Sequence, residues 1–291
     1  MIKIATKVTV DDGVEINYQL DDFTNPWEEV TETIALHHGS TQNLKFYTPM
    51  VPTLARKYRV LRWDARGRGG STAPPPGSTF SGAPVDDGVT VGERYAKDAL
   101  CLMDNLGIEK IHWVGDSCAG IIGAYFAVRY PDRIKSLVSI TAPLTGLPRE
   151  FALACSLGEK DVATAIEKWG FSEWLDRTNL MSWNADRSES EERWVNWQRA
   201  ERKKIHTHVY AGHWRWQEKV DLTPMLGKIK VPTLILAAAK SRICPLEQQY
   251  SIQQQIPNAK IIVYEDVGHG VQFLMPERVA EDILKFLETV D

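Results

Sequence analysis

Cysteine is scarce and unpaired in this chain. Its 291 residues hold four cysteines, Cys101, Cys118, Cys155 and Cys244. They lie far apart with no C-x-x-C pair, which argues against a zinc ribbon or a disulfide framework and suits a reducing compartment. A cationic surplus is also missing: 34 Lys and Arg stand against 38 Asp and Glu, for a net charge of −4. Phosphate binding needs a clear positive excess somewhere, so a dedicated nucleic-acid binder is a poor fit. No apolar run approaches the roughly 18 residues of a membrane span. There is no internal repeat and no low-complexity tract. The opening Met1–Lys7 alternates and soon meets acidic residues, unlike a secretory leader. A cytoplasmic soluble protein, binding neither nucleic acid nor membrane, is the expectation. Length allows one large domain or two ordinary ones, with ample room for a core.

What is present is an alternation of strands and helices. Residues 2–10 and 14–20 alternate on either side of Asp11-Asp12-Gly13, a hairpin signature. Short apolar strands are expected at Thr31–His37, Arg59–Trp63, Ile111–Val114, Ile134–Ile140, Val231–Ala238 and Lys260–Tyr264. Helical spacing is expected over 48–57, Val91–Leu106, Cys118–Tyr130, Leu246–Gln255 and Pro276–Val290. Strands that read as continuous apolar runs are buried on both faces, so the fold class is α/β with a mostly parallel central sheet flanked by helices. Residues 145–221 differ: they hold seven of the ten tryptophans and no convincing strand. They read as an inserted helical cap that divides the core into 1–144 and 222–291.

The sharpest local signal is Val114-Gly115-Asp116-Ser117-Cys118-Ala119-Gly120, between a buried strand and an apolar helix. A strand-to-helix turn this tight tolerates only small residues two positions either side of its apex, and Gly115 and Ala119 meet that rule. The following helix start offers partial positive charge and a free N–H from Cys118. An ordinary tight turn is the competing reading. The Cys118 thiol follows the apex rather than occupying it, so its backbone is favoured over its sulfur. His206, His208 and His213 have no carboxylate or cysteine at familiar ligand spacing, and no metal is expected there. Arg66-Gly67-Arg68-Gly69-Gly70 lacks the third glycine of a dinucleotide loop, because Thr72 holds that place. Arg199, Arg202, Lys203 and Lys204 read as a solvated helix face. Trp169, Trp174, Trp183, Trp194, Trp197, Trp214 and Trp216 should mostly pack the cap, with some lining a pocket.

Several of these motifs together resemble the α/β-hydrolase superfamily over nearly the whole chain. His38-Gly39-Ser40 is similar to the family's H-G-x oxyanion loop. Asp64-Ala65-Arg66-Gly67-Arg68-Gly69-Gly70-Ser71 is similar to its D-x-R-G-x-G-x-S loop, and Gly268-His269-Gly270 falls where the family carries its histidine. The resemblance implies Ser117 as nucleophile, His269 as base, the Ser40 and Cys118 N–H groups as oxyanion donors, and no metal or organic cofactor. One position departs: Ser241 stands where the family's acid usually follows the seventh strand, and Ile140-Thr141-Ala142 offers no carboxylate at the alternative place. Ser241, a backbone carbonyl, or a relocated carboxylate such as Glu265 or Asp266 remain as groups to orient His269. The implied activity is hydrolysis of a small carboxylic ester or lactone with an apolar or aromatic part. Amide or C–C bond hydrolysis, a lyase or cofactor-free dioxygenase, and a receptor-like ligand-binding module are the alternatives. Small-molecule substrates are the expected partners throughout.

Overall fold

The apolar runs assemble into one eight-stranded sheet in a computed structural model that describes residues 6–27, 32–78, 90–178 and 192–290. Its strands are β1 (Thr6–Thr9), β2 (Glu15–Asp21), β3 (Thr33–His37), β4 (Arg59–Trp63), β5 (Ile111–Asp116), β6 (Ile134–Ile140), β7 (Thr233–Ala238) and β8 (Ala259–Tyr264). They lie in the order β1-β2-β4-β3-β5-β6-β7-β8. The β1–β2 and β2–β4 pairs are antiparallel, and every pair from β4–β3 to β7–β8 is parallel. The hairpin turn is a single 3-10 turn over Asp11–Gly13, in which Gly13 takes the positive φ of 67°.

The helices of the first part are α1 (Val51–Leu54), α2 (Val91–Asn105) and α3 (Cys118–Arg129). Helix α2 starts with a capping box: Thr90 Oγ1 accepts from the Glu93 N–H, and the Glu93 carboxylate accepts from the Thr90 N–H. Between β6 and β7 come α4 (Arg149–Ser156), α5 (Val162–Trp169), α6 (Phe171–Thr178), α7 (Glu192–Arg202) and α8 (Thr207–Gln217). They have an apolar cluster of their own around Phe171, Trp174, Tyr210 and Trp214. The remaining helices are α9 (Thr223–Leu226), α10 (Leu246–Gln255), α11 (Val271–Leu274) and α12 (Pro276–Leu287).

Successive strand residues feed opposite cores, which is why the parallel strands read as unbroken apolar runs. Ile235 and Ala237 of β7 face the cluster that includes α2, α3 and α10. Leu234, Leu236 and Ala238 face the one that includes α1 and α12. The helix expected over 48–57 is shorter and begins differently. A 3-10 segment, Leu44–Met50, precedes α1, with the Asn43 side chain accepting from the Lys45 N–H. Pro49 and Pro52 lack backbone donors there, so a long α-helical ladder does not form. Trp183 lies outside the described residues. Among the described residues, no helix is long and apolar enough to cross a membrane.

Candidate active site

Ser117 sits between the end of β5 and the start of α3 with φ 53° and ψ −121°, a conformation that disfavours a residue bearing a Cβ. Such backbone strain costs about 1–3 kcal/mol and persists only where the surroundings enforce it. Here the Ser117 N–H donates to the Ile140 carbonyl at 2.9 Å and the Gly120 N–H to the Ser117 carbonyl at 3.0 Å. Small neighbours are obligatory: a Cβ on Gly115 would collide with the Ala119 carbonyl, and one on Gly120 with the Ala142 side chain. The Cys118 thiol is buried, and burial pushes its pKa up to about 12, so it is no nucleophile at neutral pH. What Cys118 presents is its N–H at the positive end of α3.

The loop after β3 is built around two histidine nitrogens. His38 Nε2 accepts from the Ala65 N–H at 2.9 Å and its Nδ1–H donates to the Gly39 carbonyl at 2.8 Å. These bonds hold one neutral tautomer, and burial keeps the ring's pKa well below that of a free imidazole. Gln42 Oε1 accepts from the Gly39 N–H, and Arg68 Nε donates to the Ser40 carbonyl at 2.7 Å. Gly39 has no room for a side chain: its Cβ would lie 2.6 Å from Asp116 Oδ2. Among the described residues, neither the Ser40 N–H nor the Cys118 N–H donates to a protein acceptor.

His269 lies between β8 and α11, only 7% exposed. Its Nδ1 is 3.1 Å from Ser241 Oγ, which also accepts from the Cys244 N–H at 3.0 Å. Thr141 Oγ1 donates to the His269 carbonyl at 3.1 Å, which fixes the loop itself. Burial, and after it the nearby Arg202 charge, lower the imidazole pKa to about 4, so the ring is neutral at pH 7. Asp266 is directed at Lys240 on the surface, 3.1 Å away and 89% exposed, and Glu265 is also exposed. The ring's partner is therefore a hydroxyl, which fixes orientation but offers an imidazolium no counter-charge.

Two residues at the site carried no sequence signal of their own. Asp116, 1% exposed, accepts from Tyr47 Oη at 2.8 Å, Gln42 Nε2 at 2.9 Å and Gln272 Nε2 at 2.8 Å. It thereby ties the loop after β3 to α11, which follows His269 directly. Burial raises this carboxyl to about 6, with the Tyr47 and Gln42 hydrogen bonds opposing the rise. Arg68 is the second, and its buried guanidinium also donates to Tyr95 Oη at 2.6 Å. The adjacent Arg66 has a structural job: its guanidinium pairs with Asp98 on α2.

Ser117 and His269 open onto one chamber of about 40 Å³, also lined by Ser40, Thr41, Gln42, Phe151, Tyr210, Trp214, Gln217 and Ile243. Trp214 is the one tryptophan of residues 145–221, among the described residues, on that wall. Trp174 packs in the apolar cluster with Phe171, Tyr210 and Ile243, while Trp194 and Trp197 line a separate groove with Phe46 and Phe273. The three histidines of 206–213 do not converge on one point: His208 Nε2 meets the Pro74 carbonyl and His213 Nε2 meets Gln217 Oε1. The cationic run at 199–204 is not one solvated face. Lys203 and Lys204 pair with Asp176 and Glu201, but Arg202 is 1% exposed, donating to Gln198 Oε1 with its guanidinium over the Phe46 ring.

Residues 32–276, which include the elbow and the His269 loop, match a family model described as alpha/beta hydrolase fold. The chain belongs to the α/β-hydrolase family. A curated relative from Caulobacter segnis, named "Putative carbamate hydrolase RutD", is 25% identical over 269 residues, covering 88% of this chain and 91% of the relative. A 2-hydroxy-6-oxononadienedioate/2-hydroxy-6-oxononatrienedioate hydrolase from Paraburkholderia phymatum is 27% identical over 265 residues, covering 88% of this chain and 87% of that one. In fold, the chain is similar to the enol-lactonase from Burkholderia xenovorans LB400, with a TM-score of 0.78 and 24% identity over 97% of this chain and 100% of the other. The relatives named as hydrolases support a hydrolase for this α/β-hydrolase chain.

Proposed function

We propose that this α/β-hydrolase is a serine hydrolase of small acyl compounds such as a carboxylic ester, a lactone or a carbamate. The observation that carries the reading is the strained Ser117 opening onto the same chamber as the neutral, buried His269. Ser117 Oγ attacks the carbonyl carbon while His269 Nε2 takes its proton, and the oxyanion accepts from the Ser40 and Cys118 N–H groups. The bond to the leaving group then breaks and the proton on His269 passes to it. Water, deprotonated by His269, attacks the acyl-enzyme, and the acid leaves as Ser117 is restored. Ser241 orients the ring.

The substrate inferred from the chamber is smaller than the cap's tryptophans suggest. A void that takes a benzene ring measures about 150 Å³, whereas this one is about 40 Å³ and more than half its lining residues are polar. The free thiols fit a reducing, cytoplasmic setting.

The test is intact-mass labelling with a small fluorophosphonate on wild type, Ser117→Ala and His269→Ala. One adduct on wild type and none on either variant is the expected result. An adduct that survives Ser117→Ala would refute the assignment of the nucleophile. The hydroxyl at the acid's place favours one second reading, a lyase or cofactor-free oxygenase that uses His269 as a lone base. Turnover that survives Ser117→Ala but not His269→Ala identifies it.

A further inference from the structure

One wall of the chamber carries side chains that have no part in the acyl-transfer steps above, although the Ser40 backbone does. Ser40 forms it from the loop after β3, with Tyr210 and Trp214 from α8. Ser40 Oγ and Tyr210 Oη are 3.5 Å apart, the outer limit of a hydrogen bond. Trp214 is 3% exposed and its indole Nε1, which can only donate, lies beside the Tyr210 hydroxyl without forming a well-made hydrogen bond. Two hydroxyls, which can donate or accept, and one donor-only indole N–H thus meet at one surface with no short hydrogen bond among them. A buried donor left in that state is destabilising, and such groups in native proteins call for a missing acceptor.

The charge behind this wall has the same sign. Arg68 is 2% exposed and donates to the Ser40 carbonyl, the Arg66 carbonyl and Tyr95 Oη, yet among the described residues it pairs with no carboxylate. Its guanidinium carbon lies 5.9 Å from the centre of the Tyr210 ring and 5.6 Å from that of Tyr95. The titratable groups around it stay neutral at pH 7. Burial holds the His37, His38 and His213 pKa values down and the Tyr95, Tyr210 and Cys118 values up. Asp116, the carboxyl next to Ser117, is committed to Tyr47, Gln42 and Gln272. A buried cation without a counter-charge is costly, and its field is weakly screened in a closed site. Arg202 acts on His269 with the same sign.

We propose that Ser40 Oγ, Tyr210 Oη and Trp214 Nε1 form a subsite for a carboxylate on the substrate, so that the chain acts on small acyl compounds bearing a free acid group. This rests on the acyl-transfer reading of the same chamber. The oxyanion donors hold the reacting carbonyl, and the donor wall holds the acid oxygens. Arg68 does not line the chamber; it positions Ser40 through the peptide carbonyl and supplies the favourable field.

The test is calorimetric binding of malonamate and succinamate against their neutral diamides, malonamide and succinamide. Wild type, Trp214→Phe and Tyr210→Phe are measured, each checked for an unchanged circular-dichroism spectrum, with fluorophosphonate labelling of Ser117 run in parallel. At least one carboxylate is expected to bind about tenfold or more tighter than its diamide, and each variant to lose about fivefold or more of that preference. Equal affinity for acid and diamide overturns the subsite, as does a preference that both variants keep. Failure of both carboxylates to bind, while Ser117 still labels, overturns the subsite and leaves acyl transfer standing. A carboxylate preference lost in both variants, on a protein that never labels, upholds the subsite and overturns acyl transfer.

Discussion

Replacing Ser241 with aspartate places a carboxylate where the structure has a hydroxyl 3.1 Å from His269 Nδ1. The Cys244 N–H that now donates to Ser241 Oγ is available to the new carboxylate. An ion pair at about 4 Å in an effective dielectric of about 20 is worth about 4 kcal/mol. That sets a ceiling of about three decades on the gain, at about 1.36 kcal/mol per decade. The imidazolium is only part-formed when Ser117 attacks, so about half of the pair energy is realised, or roughly thirtyfold in rate. Opposing this, Ser241 is 5% exposed, and enlarging a packed side chain costs about 1–3 kcal/mol of stability.

The assay is the second-order rate of fluorophosphonate labelling between pH 4 and 9, with Ser117→Ala as blank. Wild type should be flat above pH 5, because the His269 pKa of about 4 leaves the ring already deprotonated. Ser241→Asp should label faster and gain an acid limb at higher pH, since the carboxylate raises the imidazole pKa. Ser241→Asn is close in size without the charge, so it separates electrostatics from packing. Ser241→Ala removes the ring's partner and should slow labelling about tenfold. A folded Ser241→Asp protein that labels no faster than wild type and keeps its pH profile would refute the reasoning: His269 would then not be the base for Ser117.

How far the molecule was legible depended on how local each physical demand is. Strands β4 and β6 and helix α10 begin and end where apolar runs and helical spacing place them. The tight strand-to-helix turn at Ser117 is legible for the same reason. Its requirements fall within seven consecutive residues, and the collision awaiting a Cβ on Gly115 comes from the Ala119 carbonyl inside the motif. Asp116 sits inside that motif too, yet nothing nearby in sequence shows that Gln42 and Gln272 converge on it from both sides of the sheet order. Arg68 shares its stretch of sequence with Arg66, whose guanidinium ties the loop to α2. Its own side chain turns beneath Ser40 instead. The cationic run at 199–204 has one composition and two fates, because only position 202 faces Phe46. Seven tryptophans give one compositional signal, and helix orientation alone selects Trp214 for the chamber.

Further perturbations probe the supports of the site. Gly115→Ala should destabilise the protein by about 2 kcal/mol or more, as backbone has to move to admit the methyl group; an unchanged thermal midpoint would contradict the packing at the elbow. Asp116→Asn leaves at least one of the donors from Tyr47, Gln42 and Gln272 without its acceptor, at a cost of about 1–3 kcal/mol. It should lower both the thermal midpoint and the labelling rate, and labelling at the wild-type rate would show that the tie does not align the two loops. Acid should weaken the fold for a separate reason. His37, with a pKa near 3, His269, near 4, and His38 and His213, also well depressed, stay neutral when folded. Unfolded, each takes up a proton below about pH 6.5. The unfolded chain then binds more protons, and each histidine lowers stability by up to about 1.4 kcal/mol per pH unit as pH falls through that window. Asp116 and Asp64 act oppositely, because their raised folded pKa values favour proton uptake by the native state. With His112 also lowered and Glu218 also raised, five histidines outweigh three carboxyls, so the urea midpoint should fall from pH 7 to pH 5. A midpoint that is flat or rising over that interval would mean that the buried histidines are not held neutral.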